Sequence, residues 1–324
     1  VQRKALSGLP LPPLKEITLC NNKRKVFYMR RLWNRKLLLH KAALPHLPLL
    51  LFMLFMFVTP LVLMLNDSFR NYNYARPSNL GAYVGVQNYS KVLHNSAFWQ
   101  SVGRLVTFVM IALTAEMVLG IVLAHVLKDI KHSRPLLSIL LIPTMAAPIV
   151  VGLLGRFVFN NSFGIVPSVI ELVFGTRPML LSVPILAYTV LATVEIWHWT
   201  PLLTLIFYSG LISLPQDPYD AAKVDGASFW QAFRYLTLPM LMPVIVAGII
   251  IRGIDLFKIF DEILVMTGGG PGTATELLNF FIYKTAFRSW NVGHASAIGV
   301  IMVTIMLPVV YIFYNTIGGG REAR

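Results

Sequence analysis

The sequence predicts an all-α membrane protein with six transmembrane helices. Three observations carry that expectation. First, 56% of the 324 residues are hydrophobic and only 13% are charged, whereas soluble domains carry about 25% charged residues. The mean hydropathy is +0.66. Second, six long apolar stretches follow one another, at about 47–66, 102–127, 136–159, 183–211, 239–266 and 292–317. A spanning helix needs about 20 apolar residues to cross about 30 Å of hydrocarbon. Third, Lys and Arg are distributed unevenly between these stretches, as the positive-inside rule requires. The same composition excludes disorder, which goes with low hydrophobicity and high charge. It also argues against a soluble two-domain enzyme of this length.

The net charge is +14, and most of it lies at one end. Residues 1–46 hold 11 of the 28 Lys and Arg and one acid, Glu16. A juxtamembrane segment that orients the first helix accounts for this arm better than a nucleic-acid partner does. With the N-terminus inside, the inside segments carry 18 Lys and Arg and the outside segments 6. Both termini are therefore expected in the cytoplasm. The expected domains are a basic arm (1–46), a permease domain (47–318) and a cytoplasmic tail (319–324). Met29-Arg30-Arg31-Leu32 reads as a bacterial start, which would make residues 1–28 a mis-called extension. Cys20 is the only cysteine and excludes an intramolecular disulfide.

The elements follow in order. The stretch 47–66 is long enough to span. Asn66-Asp67-Ser68-Phe69 after it makes a poor cleavage site, so an uncleaved anchor is expected. Residues 67–101 form a long outside loop. Pro143 and Pro148 interrupt the third stretch, Pro184 and Pro201 mark the fourth, and Pro243 and Pro308 lie near the ends of the last two. Proline frees backbone carbonyls, which neighbouring helices or a cavity must satisfy.

The inside loop 212–238 is less polar than a solvated loop. Asp217 before Pro218 reads as a helix N-cap with proline at the first helical position. Tyr219–Val224 then forms a short helix, broken at Asp225-Gly226. Ala227–Leu238 reads as a second, amphipathic helix with Phe229, Trp230, Phe233 and Leu236 at helical spacing. The two helices project an apolar knob. An interfacial helix lying on the membrane is the alternative, but the small residues Ala221 and Ala222 suit docking to a protein.

Asp220-Ala-Ala-Lys-Val-Asp-Gly-Ala227, followed by an aromatic-rich helix and Leu238-Pro239, resembles the "EAA" loop of ABC-importer permeases, in the carbohydrate (maltose-type) branch. The run from Arg252 to Glu276, then Ile282–Phe287, is similar to the same branch; Val86-Gln-Asn-Tyr with Phe98-Trp99 matches more weakly. Asp220 replaces the usual Glu, and Arg104 stands where the branch often has Asn. The resemblance implies a type I ABC-importer transmembrane domain with a cytoplasmic coupling helix. It implies a second permease subunit in a heterodimer, two ATP-binding subunits that hold ATP and Mg, and an extracytoplasmic solute-binding protein. It further implies that Asp220, Ala221, Ala222, Asp225 and Gly226 contact the ATPase, braced by Phe229 and Phe233, during import of a sugar, polyol or similar solute.

Ionisable groups inside a membrane are costly and mark functional sites. Glu116 lies in the second stretch. Glu195 lies in the fourth, beside Trp197, His198, Trp199 and Thr200. Carboxylate, indoles and hydroxyl suit a polyhydroxylated ligand, though interhelical bonding and packing explain them equally. No metal site is expected from Glu195 and His198, because no second His lies nearby in sequence. In the fifth stretch, Arg252, Asp255, Lys258, Asp261 and Glu262 form one stripe of alternating sign. They either neutralise one another or face the solute path, with Arg252 and Asp255 near mid-membrane and Asp261 and Glu262 at the outer interface. The glycine-rich run 268–272 lies outside, facing the binding protein or forming a flexible turn. It is not followed by Lys-Ser/Thr, and no phosphate-binding loop occurs in the chain, so no ATP hydrolysis is expected of it. An ion- or proton-coupled secondary transporter is the alternative class, but the inverted repeat common in such proteins is not evident.

Overall fold

The computed structural model describes residues 46–131 and 133–318. The basic arm, the Met29 start and the tail lie outside the described residues. The chain divides between Leu63 and Met64 into two units. Helix α1 is Leu47–Ser68. Its apolar side chains are exposed from Leu47 onward, as lipid contact requires.

Four described helices are long and apolar enough to cross a membrane: α1, Ser96–Lys128, Pro184–Ile212 and Phe229–Leu256. The other apolar stretches are carried by shorter helices among the described residues. The third stretch breaks as its prolines foretell. Ser133–Leu140 is followed by a 3₁₀ turn at Pro143–Met145 and by a helix at Pro148–Val158. The fifth stretch ends at Leu256, and a separate short helix runs Asp261–Met266. In chain order the helices after α1 are α2 (Gln87–Leu93), α3 (Ser96–Lys128), α4 (Ser133–Leu140), α5 (Pro148–Val158), α6 (Ile165–Phe174), α7 (Pro184–Ile212), α8 (Asp217–Val224), α9 (Phe229–Leu256), α10 (Asp261–Met266), α11 (Leu278–Tyr283) and α12 (Val292–Gly318).

The loop expected over 67–101 is shorter than predicted. Asn95 caps α3 through the Ala97 amide at 2.9 Å, so α3 begins at Ser96. Before it, Asn88 donates to the Ser68 and Arg70 carbonyls, both at 2.9 Å, and a bridge pairs Arg70 with Tyr83.

Helix α3 packs along α7, and α9 crosses both. Phe207 of α7 is fully buried there. Gly120 of α3 and Gly248 of α9 both lie against its ring; a Cβ at either position would sit 3.2 Å from it. Small residues let membrane helices approach closely where dispersion, rather than water exclusion, drives their association.

The glycine-rich run 268–272 is not a loose turn. Thr275 Oγ1 donates to the Gly270 carbonyl at 2.8 Å and lies 2.6 Å from Thr267 Oγ1. Arg104 of α3 donates to Thr273 Oγ1 at 3.0 Å.

Candidate functional site

Two constellations carry the predicted site residues. One is the knob between α7 and α9. Its first helix begins at Asp217, with Gln216 as the cap residue, so the expected Asp217 cap is displaced by one position. Asp217 and Asp220 occupy the first turn, where carboxylates oppose the helix dipole favourably. The last turn closes as a Schellman motif. Ala227 N–H donates to the Ala222 carbonyl at 2.9 Å and Gly226 N–H to the Lys223 carbonyl at 3.1 Å. Gly226 has φ +74°, a left-handed conformation that side chains oppose. Asp220, Ala221, Asp225 and Gly226 are exposed, and Ala222 is half-buried. The Asp220–Lys223 pair, at 3.3 Å, is solvent-exposed on both sides and contributes little.

The second half of the knob differs from the separate helix expected over Ala227–Leu238. Ser228 starts it with a capping box to Gln231. It then runs without interruption into the long helix through a π turn at Phe233–Thr237. Leu238 N–H donates to Phe233, one residue further back than in an α-helix. Such an inserted turn accommodates Pro239, which lacks an N–H and crowds the preceding turn.

Phe229 and Phe233 stack on each other and meet His125 of α3 edge-on, at 5.2 and 5.9 Å between ring centroids. Lys128 lies over the Tyr219 ring at 5.1 Å, and Tyr219 donates to Thr237 Oγ1 at 3.0 Å. The knob is therefore fastened to the end of α3 and to the start of α9. Behind it lies a cavity of about 390 Å³ lined by His125, Lys128, Tyr219, Ala222, Phe229 and Phe233, among others. Sequence reasoning missed His125 and Lys128. Their one available signal is their place in the last turn of the apolar run that precedes Lys131.

The second constellation is buried. Arg252 of α9 is fully buried and grips Glu116 of α3 with two bonds, Nε to Oε2 at 2.7 Å and Nη2 to Oε1 at 2.8 Å. Nη2 also donates to Glu195 Oε1 of α7 at 2.8 Å. The Trp199 ring stands 4.7 Å from the guanidinium carbon. A bidentate guanidinium–carboxylate fork is among the strongest polar contacts available to side chains. Here it joins three long helices.

The alternating stripe expected along the fifth stretch does not pair within itself at Arg252. Arg252 turns to Glu116 and Glu195 on other helices, and Asp255 pairs with Lys258 at 3.1 Å, partly exposed. The helix ends at Leu256, so Glu262 leaves the stripe; it is buried, with Oε1 3.7 Å from His198 Nδ1. Glu116, Glu195, Trp199 and Arg252 are thus brought together. Thr200 is buried nearby in sequence, its hydroxyl unpartnered. Trp197 is exposed on the opposite face of α7, away from them.

Long apolar helices with charges paired inside them mark a polytopic membrane protein. Residues 116–318 match the family of binding-protein-dependent transport system inner membrane components. The chain is 34% identical over 236 residues to the trehalose/maltose transport system permease protein MalF of Thermococcus litoralis, covering 71% of this chain and 78% of that protein. It is 30% identical over 252 residues to the trehalose transport system permease protein SugA of Mycobacterium tuberculosis, covering 78% and 80%. Its fold matches a chain of a bacterial ABC transporter involved in import of the acidic polysaccharide alginate, with a TM-score of 0.76 over 88% of this chain and 98% of that one, at 19% identity. This chain belongs to the binding-protein-dependent transport system inner membrane component family, in its maltose/trehalose-type branch. It is the multi-pass, inner-membrane permease subunit of an ATP-driven importer that works with a solute-binding protein and an ATPase. Permease subunits of this family are not themselves enzymes.

Proposed function

We propose that this permease imports a sugar or polyol and that the knob spanning 217–238 is its coupling element for the ATPase. The observation that carries this reading is the construction of the knob. It is stopped by Gly226, capped at Ser228, and fastened by rings to α3, yet its outer residues are exposed. A rigid, outward-facing element built into the base of two long helices can pass a push to both. Asp220, Ala221, Ala222, Asp225 and Gly226 meet the ATPase, and Phe229 and Phe233 brace them. ATP-driven closure of the ATPase would then shift the permease between inward- and outward-facing populations.

Six spans complete the topology: the four long helices, the broken segment from α4 to α5, and α12. Both termini are cytoplasmic, and the domain boundaries are 1–46, 47–318 and 319–324. The permease core pairs with a second, similar subunit. The carbohydrate assignment rests on the maltose and trehalose relatives. Within the chain, Trp199 and Asp255 keep partly exposed surface for a solute, and Glu116, Glu195 and Arg252 bond to one another and hold the helices that present them. Thr200 belongs to the same path. Trp197 faces lipid or the second permease.

Cysteine trapping tests the coupling role. With Cys20 replaced by Ser, Ala221→Cys should cross-link to single cysteines in the ATPase groove, and the yield should change on adding ATP. Thr189→Cys, exposed on the side of α7, should not cross-link. An Ala221→Cys protein that inserts normally but is captured by no ATPase cysteine refutes the assignment.

A further inference from the structure

His198 is fully buried on α7, and its Nε2 lies 3.2 Å from the Ala146 carbonyl oxygen. A carbonyl only accepts, so Nε2 carries a proton, and in the neutral ring Nδ1 then presents a lone pair. Nδ1 has no hydrogen-bond partner, and it faces Glu262 Oε1 at 3.7 Å. Two acceptors facing each other inside a protein repel unless a cation lies between them. Glu195 supplies a third free acceptor. Its Oε1 is taken by Arg252, but its Oε2 is buried and unpartnered.

One donor atom from each of Glu195, His198 and Glu262 lies within 4.8 Å of the other two. The charge count points the same way. Buried Glu116 and Glu195 share one guanidinium, buried Glu262 faces only His198, and the neighbouring Asp255 is already paired with Lys258. With all three carboxylates ionised, a bound dication balances the set.

We propose that Glu195, His198 and Glu262 form a site for one divalent transition-metal ion, for which Zn²⁺ is the working probe. Glu195 and His198 are three residues apart on one helix. That Glu-x-x-His spacing places both on one face, as in the carboxylate–histidine metal sites of helix bundles. One imidazole and two carboxylates leave a fourth position open on a tetrahedral ion. The bond from Nε2–H to a backbone carbonyl is the outer support that fixes the tautomer of a metal-bound histidine. At Zn–ligand bonds of about 2.0–2.1 Å, the donor atoms must draw together from their present separations, which rotation of the two Glu side chains supplies. Glu262 comes from α10, so the ion would tie that short helix to α7. Gly152 of α5 keeps the place open: a Cβ there would sit 2.9 Å from the Glu262 Cα.

The test uses the intact importer, produced in Zn²⁺-supplemented medium and purified in metal-free buffer, with metal counted by mass spectrometry. Wild type should hold close to one Zn²⁺ per copy of this chain. Glu262→Gln and His198→Gln should each lose it, with an affinity loss beyond the about 10–100-fold that removing a supporting partner costs. Glu171→Gln, an exposed site paired with Arg177, should keep it. Production in Co²⁺ gives a reading on wild type alone, should the variants fail to assemble: visible d–d absorbance of a bound ion is expected. Metal-free wild type overturns the site and leaves a proton shared by His198 and Glu262. Full metal content in both substituted proteins overturns it equally.

Discussion

Replacing Arg252 by Met perturbs the one group on which three helices converge. The substitution keeps the length and apolar stem of the side chain and deletes its three charge-assisted hydrogen bonds, at 2.7, 2.8 and 2.8 Å. Bonds to charged groups contribute about 1.5–3 kcal/mol each, but they are not additive within one network. The larger effect is what remains. Glu116 and Glu195 are left buried with no countercharge, and deleting one partner of a buried ion pair costs about 3–5 kcal/mol. We therefore expect Arg252→Met to destabilise the folded permease by about 3–5 kcal/mol. Replacing the whole set, as Arg252→Met with Glu116→Leu and Glu195→Leu, should recover most of that loss, because an apolar cluster of similar volume is often as stable as a buried ion pair. The assay is equilibrium unfolding by SDS in mixed micelles, followed by tryptophan fluorescence. An Arg252→Met protein as stable as wild type refutes the reasoning, and so does a triple variant no more stable than the single one.

Other expectations follow from the same geometry. Gly226→Val forces a β-branched residue into the left-handed region at a cost of about 1–2 kcal/mol, so ATP-coupled uptake should fall with membrane insertion unchanged; normal uptake would show that the turn is not needed. Ser228→Ala removes the capping box and should lower stability by about 1 kcal/mol, measured by the same SDS titration. Trp199→Ala deletes a ring 4.7 Å from the Arg252 guanidinium, a contact worth about 2 kcal/mol or more where it is desolvated. It should reduce solute uptake well beyond Trp197→Ala, whose ring is exposed. Equal effects of the two would sink the assignment of Trp199 to the solute path.

The parts of the fold set by local composition were legible in the sequence. The uncharged run from Leu47 gives α1, Pro143 and Pro148 break the third stretch where expected, and Asp225-Gly226 ends α8. Local pattern failed where the backbone followed tertiary demands. Pro239 reads as a boundary, yet the π turn at Phe233–Thr237 absorbs it and the helix continues. Nothing in the run 257–260 announces that the fifth stretch breaks there. The site was half legible. Glu116, Glu195 and Arg252 stand out singly as charges in apolar runs. That Arg252 chooses them over Asp255, three residues away, depends on how α3 and α7 are placed, which helical spacing cannot encode. The meeting of Glu262 with His198 is hidden for the same reason, since it needs the break after Leu256.

This chain is expected to carry solute only when an ATPase drives it through the knob. Uptake of a radiolabelled solute that the cognate binding protein captures, into proteoliposomes with the partner permease, binding protein and ATPase reconstituted together, tests this most directly. Uptake should require ATP on the ATPase side and disappear when residues 219–227 are deleted, with the deleted protein still inserted. Uptake by this chain without ATP, or ATP-driven uptake that survives the deletion, would contradict it.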